Sequence, residues 1–411
     1  MDQETVMEPR ETTPIMASSG EAMLAPTEPA AEPPDSGRSL TAVGDREPEP
    51  PRAARLVSLD AFRGLAILGM LLVNNTALDN ATPKHLTHAP WNGGIYFADL
   101  VFPWFLLIVG VAIPYAAASA KQKGVSRRQS ALKTLGRAGA LVVLGCLIDS
   151  SLARRPVVGL GVLQLIGLAY CAGAFLAALP LRPRLLVAAG LLAGHWAAIR
   201  FIPIPGFGAG VFTETANLVV YLNEAYLRGF GLKGLISVVP TTALVLIGAT
   251  AGEALRSERL TPLRKAGLLA GSGAGLMLAG WLWSLDLPFN KPVWTASYIL
   301  FTAGCGLLLL ACLFLVIDFK GWRGWAFPLV VFGSNAILAY VVPIMTKVHV
   351  LQEWNWTMAD GSTLPLQQAL LSTSIQHFGR WGGGWAYTGG YILFWWLFLL
   401  LLYRRRLFLR V

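Results

Sequence analysis

The sequence predicts an all-α fold, a polytopic membrane bundle of about ten transmembrane helices. Three observations carry this. The chain of 411 residues is 55% hydrophobic and only 14% charged, against about 25% charged in soluble domains. Apolar runs near the ~20 residues that a bilayer requires recur along most of its length. The basic residues behind the net charge of +10 fall mainly in short loops between those runs, as the positive-inside rule expects. A basic stripe on a soluble face is missing, so no nucleic-acid partner is expected. The lipid bilayer is the partner that composition implies.

Residues 1–54 come first. They are rich in Pro, Glu, Ala, Ser and Thr with almost no aromatics. Such a segment buries too little apolar area to offset its ordering entropy, which predicts a disordered cytoplasmic tail. It lacks the basic-then-apolar pattern of a signal peptide. The membrane domain occupies 55–411, with spans expected near 60–78, 96–119, 132–149, 157–178, 184–202, 235–254, 265–285, 297–317, 324–346 and 385–403. Loop charges set the orientation. Arg52 and Arg55, the 121–137 loop, Arg182 and Arg184, 256–265, Lys320 and Arg323, and Arg404–Arg406 lie at one end. They outnumber the basic residues of the other end by about two to one. Both termini are therefore expected in the cytoplasm, in a bacterial inner membrane, with the His88 loop on the opposite side.

Two opposite-side loops are long. Residues 203–234 contain an amphipathic stretch at 217–227, expected to lie on the membrane surface. Residues 347–384 contain a second short helix at 365–378 and a glycine-rich turn at 382–384. Such loops are suited to capping a site. Cys146, Cys171, Cys305 and Cys312 lie inside apolar runs without zinc spacing, and read as small core residues.

Polar groups inside a membrane are costly, about 2.5–3.5 kcal/mol for a central charge, so each one there invites a reason. Asp60 and Arg63 share a helix face at i, i+3, with Ser58 available as N-cap. They read as an interfacial ion pair, or Arg63 as a phosphate ligand through its planar fork. Asn74 and Asn75 end the first span, either as interhelical links or as an amide that orients a carbonyl. His88 is a loop histidine by position and a proton shuttle or nucleophile by chemistry. Asp99, eleven residues on at the mouth of the second span, is placed to orient its ring. His85 raises a metal alternative, but no further ligand cluster accompanies it, and no metal is expected. Asn290 and Lys291 sit in a loop stiffened by two prolines, while Ser334 and Asn335 lie inside the ninth span. His195 reads as a packed histidine. GxxxxGK[ST], HExxH and GxSxG are absent from the sequence, which removes the soluble-enzyme signatures they carry.

The residues then form a pattern. Leu59-Asp-Ala-Phe-Arg-Gly64 with Val73-Asn74 is one block, and His88-Ala-Pro-Trp-Asn-Gly93 through Ala98-Asp-Leu-Val-Phe-Pro-Trp-Phe105 a second. Gly161-Val-Leu-Gln-Leu-Ile-Gly-Leu-Ala-Tyr170 is a third. Asn290-Lys291 with Trp294, Ser297-Tyr298, Asp318-Phe-Lys-Gly321 and Gly333-Ser-Asn335 complete it. In these blocks the chain resembles the membrane-bound heparan-α-glucosaminide N-acetyltransferase family and its bacterial relatives, over essentially everything after the tail. The resemblance implies acetyl transfer from cytoplasmic acetyl-CoA to the amine of a glucosamine-type acceptor on the opposite side. It puts the family's active-site histidine on His88 and its site asparagine on Asn74, with Asp99 as orienter. A direct transfer and an acetyl-histidine intermediate both remain open. Arg63, Asp60 and Lys320 are the expected CoA-binding residues. Trp91, Asn92, Asn290, Lys291 and Asn335 are expected to bind the acceptor. A homodimer is the expected assembly. One departure stands out: relatives carry Asp-Pro-Glu-Gly before the sixth span, where this chain has Gly231-Leu-Lys-Gly234, so Lys233 replaces an acid. The large luminal domain of the animal enzyme is also expected to be missing. The competing reading is an amino-sugar transporter or permease, or a catalytically altered relative.

Overall fold

The computed structural model describes residues 56–358 and 360–409. The expected tail over 1–54 lies outside the described residues. The helices are α1 Val57–Asn75, α2 Phe97–Gln122, α3 Arg127–Ala153, α4 Val162–Leu176, α5 Leu181–Phe201, α6 Leu218–Leu222, α7 Val238–Arg256, α8 Pro262–Trp283, α9 Ala296–Leu313, α10 Phe327–Ser334, α11 Ala336–Thr346 and α12 Leu366–Arg404. Among the described residues eight helices are long and apolar enough to cross a membrane, and α10 with α11 adds a ninth as a pair bent by 68°. The remaining expected span is α4, apolar but only 15 residues long. The fold is thus an all-α polytopic membrane bundle.

Its layering follows from where apolar faces are satisfied. More than half of α1, α2, α7 and α9 is buried within the protein, but only about a quarter of α3, α5, α8 and α12. The inner four carry the core, including Phe62, Leu106, Leu107, Leu244 and Ile299. The outer helices turn side chains such as Leu278, Leu282, Phe394 and Leu397 outward, where lipid is their solvent. Lipid is as apolar as leucine, so close packing must hold such helices together, and small residues permit it. A Cβ on Gly64 would collide with the Leu329 carbonyl of α10, and one on Gly333 with the Asp60 carbonyl of α1. Gly110, Gly248 and Gly252 play the same part where α2 crosses α7.

Three local expectations are corrected. Ser58 does not cap α1, which begins one residue earlier. Asp318, on the π-helical turn Phe314–Phe319 that continues α9, accepts the backbone N–H groups of Val57 and Ser58, both at 3.1 Å. A carboxylate there satisfies orphan donors and meets the positive end of the helix dipole. The break in α12 lies at Gly379 (φ 72°), not at 382–384. Gly379 takes the left-handed conformation that glycine tolerates, while Gly384 stays helical and lets α12 approach Ala77 and Leu78. A short antiparallel hairpin, β1 Asn355–Thr357 with β2 Thr363–Pro365, precedes α12; the sequence reading did not include it. The amphipathic stretch is helical: α6 runs on through a π turn at Asn223–Leu227. The Asn217 side chain caps it by accepting the Val220 N–H at 2.9 Å.

Replacing Gly64 by Val should cost about 1–3 kcal/mol through overpacking at the α1–α10 crossing. A lowered thermal midpoint in detergent is the measurement. Gly267→Ala, at a position with open space around it, is the control expected to show no loss.

Candidate active site

The site is built around Asp99, the third residue of α2, which is 2% exposed. A buried carboxylate needs its lone pairs filled, and local sequence provides the partners. Oδ2 accepts the backbone N–H groups of Ala89 (3.1 Å) and Tyr96 (3.2 Å). Oδ1 lies 2.8 Å from His88 Nδ1 and 3.5 Å from Lys291 Nζ. The loop between folds back to make this possible. Gly93 N–H returns to the Pro90 carbonyl, and Asn92 takes φ +57°, a conformation that asparagine adopts more readily than most residues.

Asp99 also has a carbonyl that its own helix leaves unpaired. The donor four residues on is Pro103, inside α2, and proline has no N–H. The fully buried hydroxyl of Tyr298, on α9, donates to the Asp99 carbonyl instead. The proline and the tyrosine are therefore one device, tying α9 to the first turn of α2.

Lys291 arrives on the loop between α8 and α9. Asn290 is 3% exposed, and its N–H donates to Thr295 Oγ1 (3.0 Å) while its Oδ1 accepts the Val293 N–H (3.1 Å). Thr295 N–H returns to the Asn290 carbonyl at 3.2 Å. His195 Nε2, 3.1 Å from the Val293 carbonyl, ties the loop to α5 as a packed histidine should. These bonds make the loop rigid beyond what its prolines do. Lys291 Nζ then points inward, 3.1 Å from His88 Nδ1 and 3.4 Å from the Ala98 carbonyl. Burial pushes the Lys291 ammonium below the ordinary lysine range, and Asp99 partly offsets this.

His88 Nδ1 has two neighbours with one in-plane hydrogen-bonding position. Asp99 is acceptor-only when ionised, so Nδ1–H donates to Oδ1 and leaves Nε2 as the basic nitrogen. The tautomer is assigned from this network. The His88 side chain is 56% exposed, so the ring is held from inside and open outside.

The other expected acceptor residues are split. Asn92 Oδ1 accepts from Asn290 Nδ2 at 3.3 Å, beside the His88 group. Trp91 packs against Phe212 with the rings tilted by 39° (5.2 Å between centroids) in a small satellite core with Val219, Leu287 and Val293, joining the His88 loop to the 203–234 loop. Asn335 is at the bend between α10 and α11. Its amide holds the C-terminal segment through the Leu407 carbonyl (3.0 Å) and the Leu409 N–H (2.8 Å), and is not among the residues around His88.

Two cavities open on one face of α1. One, about 1000 Å³, is lined by Asp60, Arg63, Lys133, Arg137, Tyr170, Phe105 and Leu409 among others. Asp60 and Arg63 pair at 3.2 Å as their spacing predicts, and Arg137 sits over the Tyr170 ring at 5.4 Å. The 121–137 stretch contributes Lys133 and Arg137 as expected. Lys320 does not line it and instead lies over Trp322 at 5.3 Å. The second cavity, about 350 Å³, is lined by Ile67, Met70, Leu71, Asn74, Tyr340, Lys347 and Gln352 among others. Gly69 meets Val101 and Phe97 of α2. At about 100° per residue, Asn74 points roughly 140° away from that contact. The Asn74 carbonyl accepts from Lys347 Nζ at 2.8 Å, and among the described residues no hydrogen bond joins Asn74 to His88. Lys233 pairs with Glu224 at 2.7 Å, as does Arg228, which holds the Glu224 carboxyl below its usual range. Tyr298 belongs to one of the sequence blocks but has no role assigned there; Pro103, four residues after Asp99, is the signal that the Asp99 carbonyl needs an outside donor.

Tyr298→Phe should therefore cost about 1–3 kcal/mol, the price of a buried unpaired carbonyl. Adding Pro103→Ala, which restores an N–H four residues from Asp99, should recover part of the loss in thermal unfolding.

Comparison with known proteins agrees with this architecture. The family model "Heparan-alpha-glucosaminide N-acetyltransferase, catalytic" matches residues 55–280, a stretch that includes α1, α2 and the His88 loop. The heparan-alpha-glucosaminide N-acetyltransferase of Homo sapiens is 24% identical over 87% of this chain and 60% of its own length. That of Mus musculus is 25% identical over 79% of this chain and 58% of its own length. The chain thus spans about 60% of the length of these curated relatives. With more than half of its residues matched by the family model, the chain belongs to the heparan-alpha-glucosaminide N-acetyltransferase catalytic family of membrane proteins.

Proposed function

We propose that this protein transfers an acetyl group from acetyl-CoA to the amine of a glucosamine-type sugar. The observation that carries the reading is the His88–Asp99 pair: a ring oriented by a buried carboxylate at 2.8 Å and open on its other edge. The amine nitrogen attacks the thioester carbonyl, the carbon–sulfur bond breaks, and the proton lost by the amine passes to His88 Nε2 and on to the leaving thiolate. A positioned base of this kind contributes about 10²–10⁴-fold.

The 1000 Å³ cavity suits the donor. Arg63, Lys133 and Arg137 supply cations for phosphates, and Tyr170 supplies an aromatic face. Its α2 wall reaches Phe105, six residues from Asp99, or about 9 Å of helix rise. In this reading the basic end of the bundle faces the cytoplasm of a bacterial inner membrane, and the sugar amine reaches His88 from the other side. Asn92, exposed beside His88, is the asparagine placed to meet the sugar, and the buried Asn290 holds it at 3.3 Å.

The test is acetyl transfer to glucosamine by purified protein in detergent, with CoA binding measured separately. His88→Ala should lose transfer at least 10²-fold while CoA still binds. Arg137→Ala should raise the KM for acetyl-CoA about tenfold with little change for the sugar, the scale of one charged hydrogen bond. Sugar counterflow in liposomes without consumption of acetyl-CoA would overturn the proposal in favour of a transporter.

A further inference from the structure

Ser151, His349 and Glu353 form a second side-chain cluster, at the end of the bundle where Lys347 meets the last turn of α1. Ser151 Oγ lies 2.8 Å from His349 Nε2, and His349 Nδ1 lies 3.1 Å from Glu353 Oε1. We infer that these residues are a nucleophile, its base and the orienter of that base, and that they hydrolyse carboxylic esters of short acyl chains. The inference is independent of the acetyl-transfer reading, in which none of the three takes part.

The order of atoms is the one acyl chemistry needs. A serine hydroxyl is a weak nucleophile until a base takes its proton. A histidine does this with one ring nitrogen on the hydroxyl and the other on a carboxylate. Ionised glutamate only accepts, so Nδ1–H donates to Glu353 and Nε2 accepts from Ser151. The tautomer is assigned from this network. Such a constellation is defined by geometry rather than by a sequence motif, so the missing GxSxG does not bear on it.

Ser151 and His349 also depart from what packed residues of their kind do in this protein. Thr242, Thr250 and Ser272 turn their hydroxyls back to the carbonyl four residues earlier, a common use of a helical hydroxyl. Ser151, in the last turn of α3, points across to His349 instead. His195 and His377 each spend a ring nitrogen on a backbone carbonyl, whereas both nitrogens of His349 meet side chains. His349 sits on the π-helical turn Lys347–Leu351, a distortion frequent at functional sites. Arg154 closes α3 at φ 52°, a left-handed position that usually falls to glycine. From there its Nη2 meets Glu353 Oε1 at 2.5 Å, which holds the carboxylate that faces the ring. Ser151 and His349 are half-buried. Val348 and Gln352, on the same stretch as His349, line the cavity of about 350 Å³ with Ile67, Leu71 and Ile344. An apolar recess of that size suits a short acyl chain.

The reaction balances with water alone. Ser151 Oγ bonds to the ester carbonyl carbon and its proton passes to His349 Nε2. The carbon–oxygen bond to the alcohol breaks, and the alcohol leaves with that proton. Water then attacks the acyl-serine, giving a proton to Nε2. That proton returns to Ser151 Oγ as the carboxylic acid departs.

The test uses the full chain in detergent with His88→Ala, so that the exposed His88 ring contributes nothing to ester hydrolysis. A fluorophosphonate probe should bond to Ser151 Oγ with loss of fluoride, located by mass spectrometry, and p-nitrophenyl butyrate should be hydrolysed. Ser151→Ala should abolish the label. His349→Asn should slow both labelling and hydrolysis at least about 10²-fold. Glu353→Gln, at the positioning residue, should lower kcat about tenfold with KM unchanged, the scale of one charged hydrogen bond. Ser150→Ala, whose hydroxyl is spent on Val157, should keep both activities. If the cluster only ties α3 to the π turn, the variants lose thermal stability while folded protein stays unlabelled at Ser151. That result overturns the inference, as does labelling that survives His349→Asn. Labelling at Ser151 in a protein with His88 intact but no acetyl transfer keeps the inference and overturns the acetyl-transfer reading instead.

Discussion

The arrangement of the site depends on keeping one carboxylate out of water. Asp99 is 2% exposed, and a bare charge there would cost several kcal/mol. The partners that offset this come from two stretches of chain, the loop 88–96 and the loop bearing Lys291. Two backbone N–H groups fix where the loop 89–96 enters α2. His88 sets the near wall, and Lys291 brings in the loop before α9. Asp99 also sits in the first turn of α2, where the helix dipole favours an anion. A constraint that begins as desolvation thus becomes positional, so that a half-exposed histidine acquires a fixed orientation without being buried itself.

The helix beneath this cluster completes the constraint. Pro103 denies α2 one hydrogen bond, and the carbonyl left over belongs to Asp99 itself. Tyr298 takes it, so α9 is registered against α2 at the residue that holds His88. The same stretch, from Asp99 to Phe105, separates the His88 cluster from the basic cavity. One short piece of α2 therefore carries three jobs: anchoring His88, docking α9 and forming the end of the cavity wall.

Much of this was legible in local sequence. A bilayer imposes length and hydropathy on its helices, so each expected span has a helix at its place. Asp60 with Arg63, and His88 with Asp99, were readable because helix periodicity or a short loop joins them. What local sequence does not show shares one physical cause: the partners are distant in the chain. Asp318 caps α1 from about 260 residues away, so Ser58 looked like the cap. Asn335 looked like an amide facing a substrate, but the C-terminal segment uses both its donor and its acceptor. Lys291 was read by its loop position, which does not reveal that its ammonium turns inward. Asn74 lies at the end of α1 as expected, but only the packing of Gly69 on α2 determines which way that helix is rotated.

That rotation separates the roles of the first two helices. The α1 face bearing Asp60, Arg63, Ile67, Met70, Leu71 and Asn74 lines both cavities, while the face bearing Gly69 packs against α2. A helix can present a continuous polar-to-apolar lining only if its opposite face is closely packed. Gly69 makes this possible by letting Val101 and Phe97 of α2 approach the opposite face. Asp318 holds the start of α1 and Thr388, which donates to the Asn75 carbonyl at 3.2 Å, holds its end. His88 is likewise fixed through Asp99. Placement of the larger cavity relative to His88 then reduces to how α1 packs on α2, the contact that Gly69 keeps close.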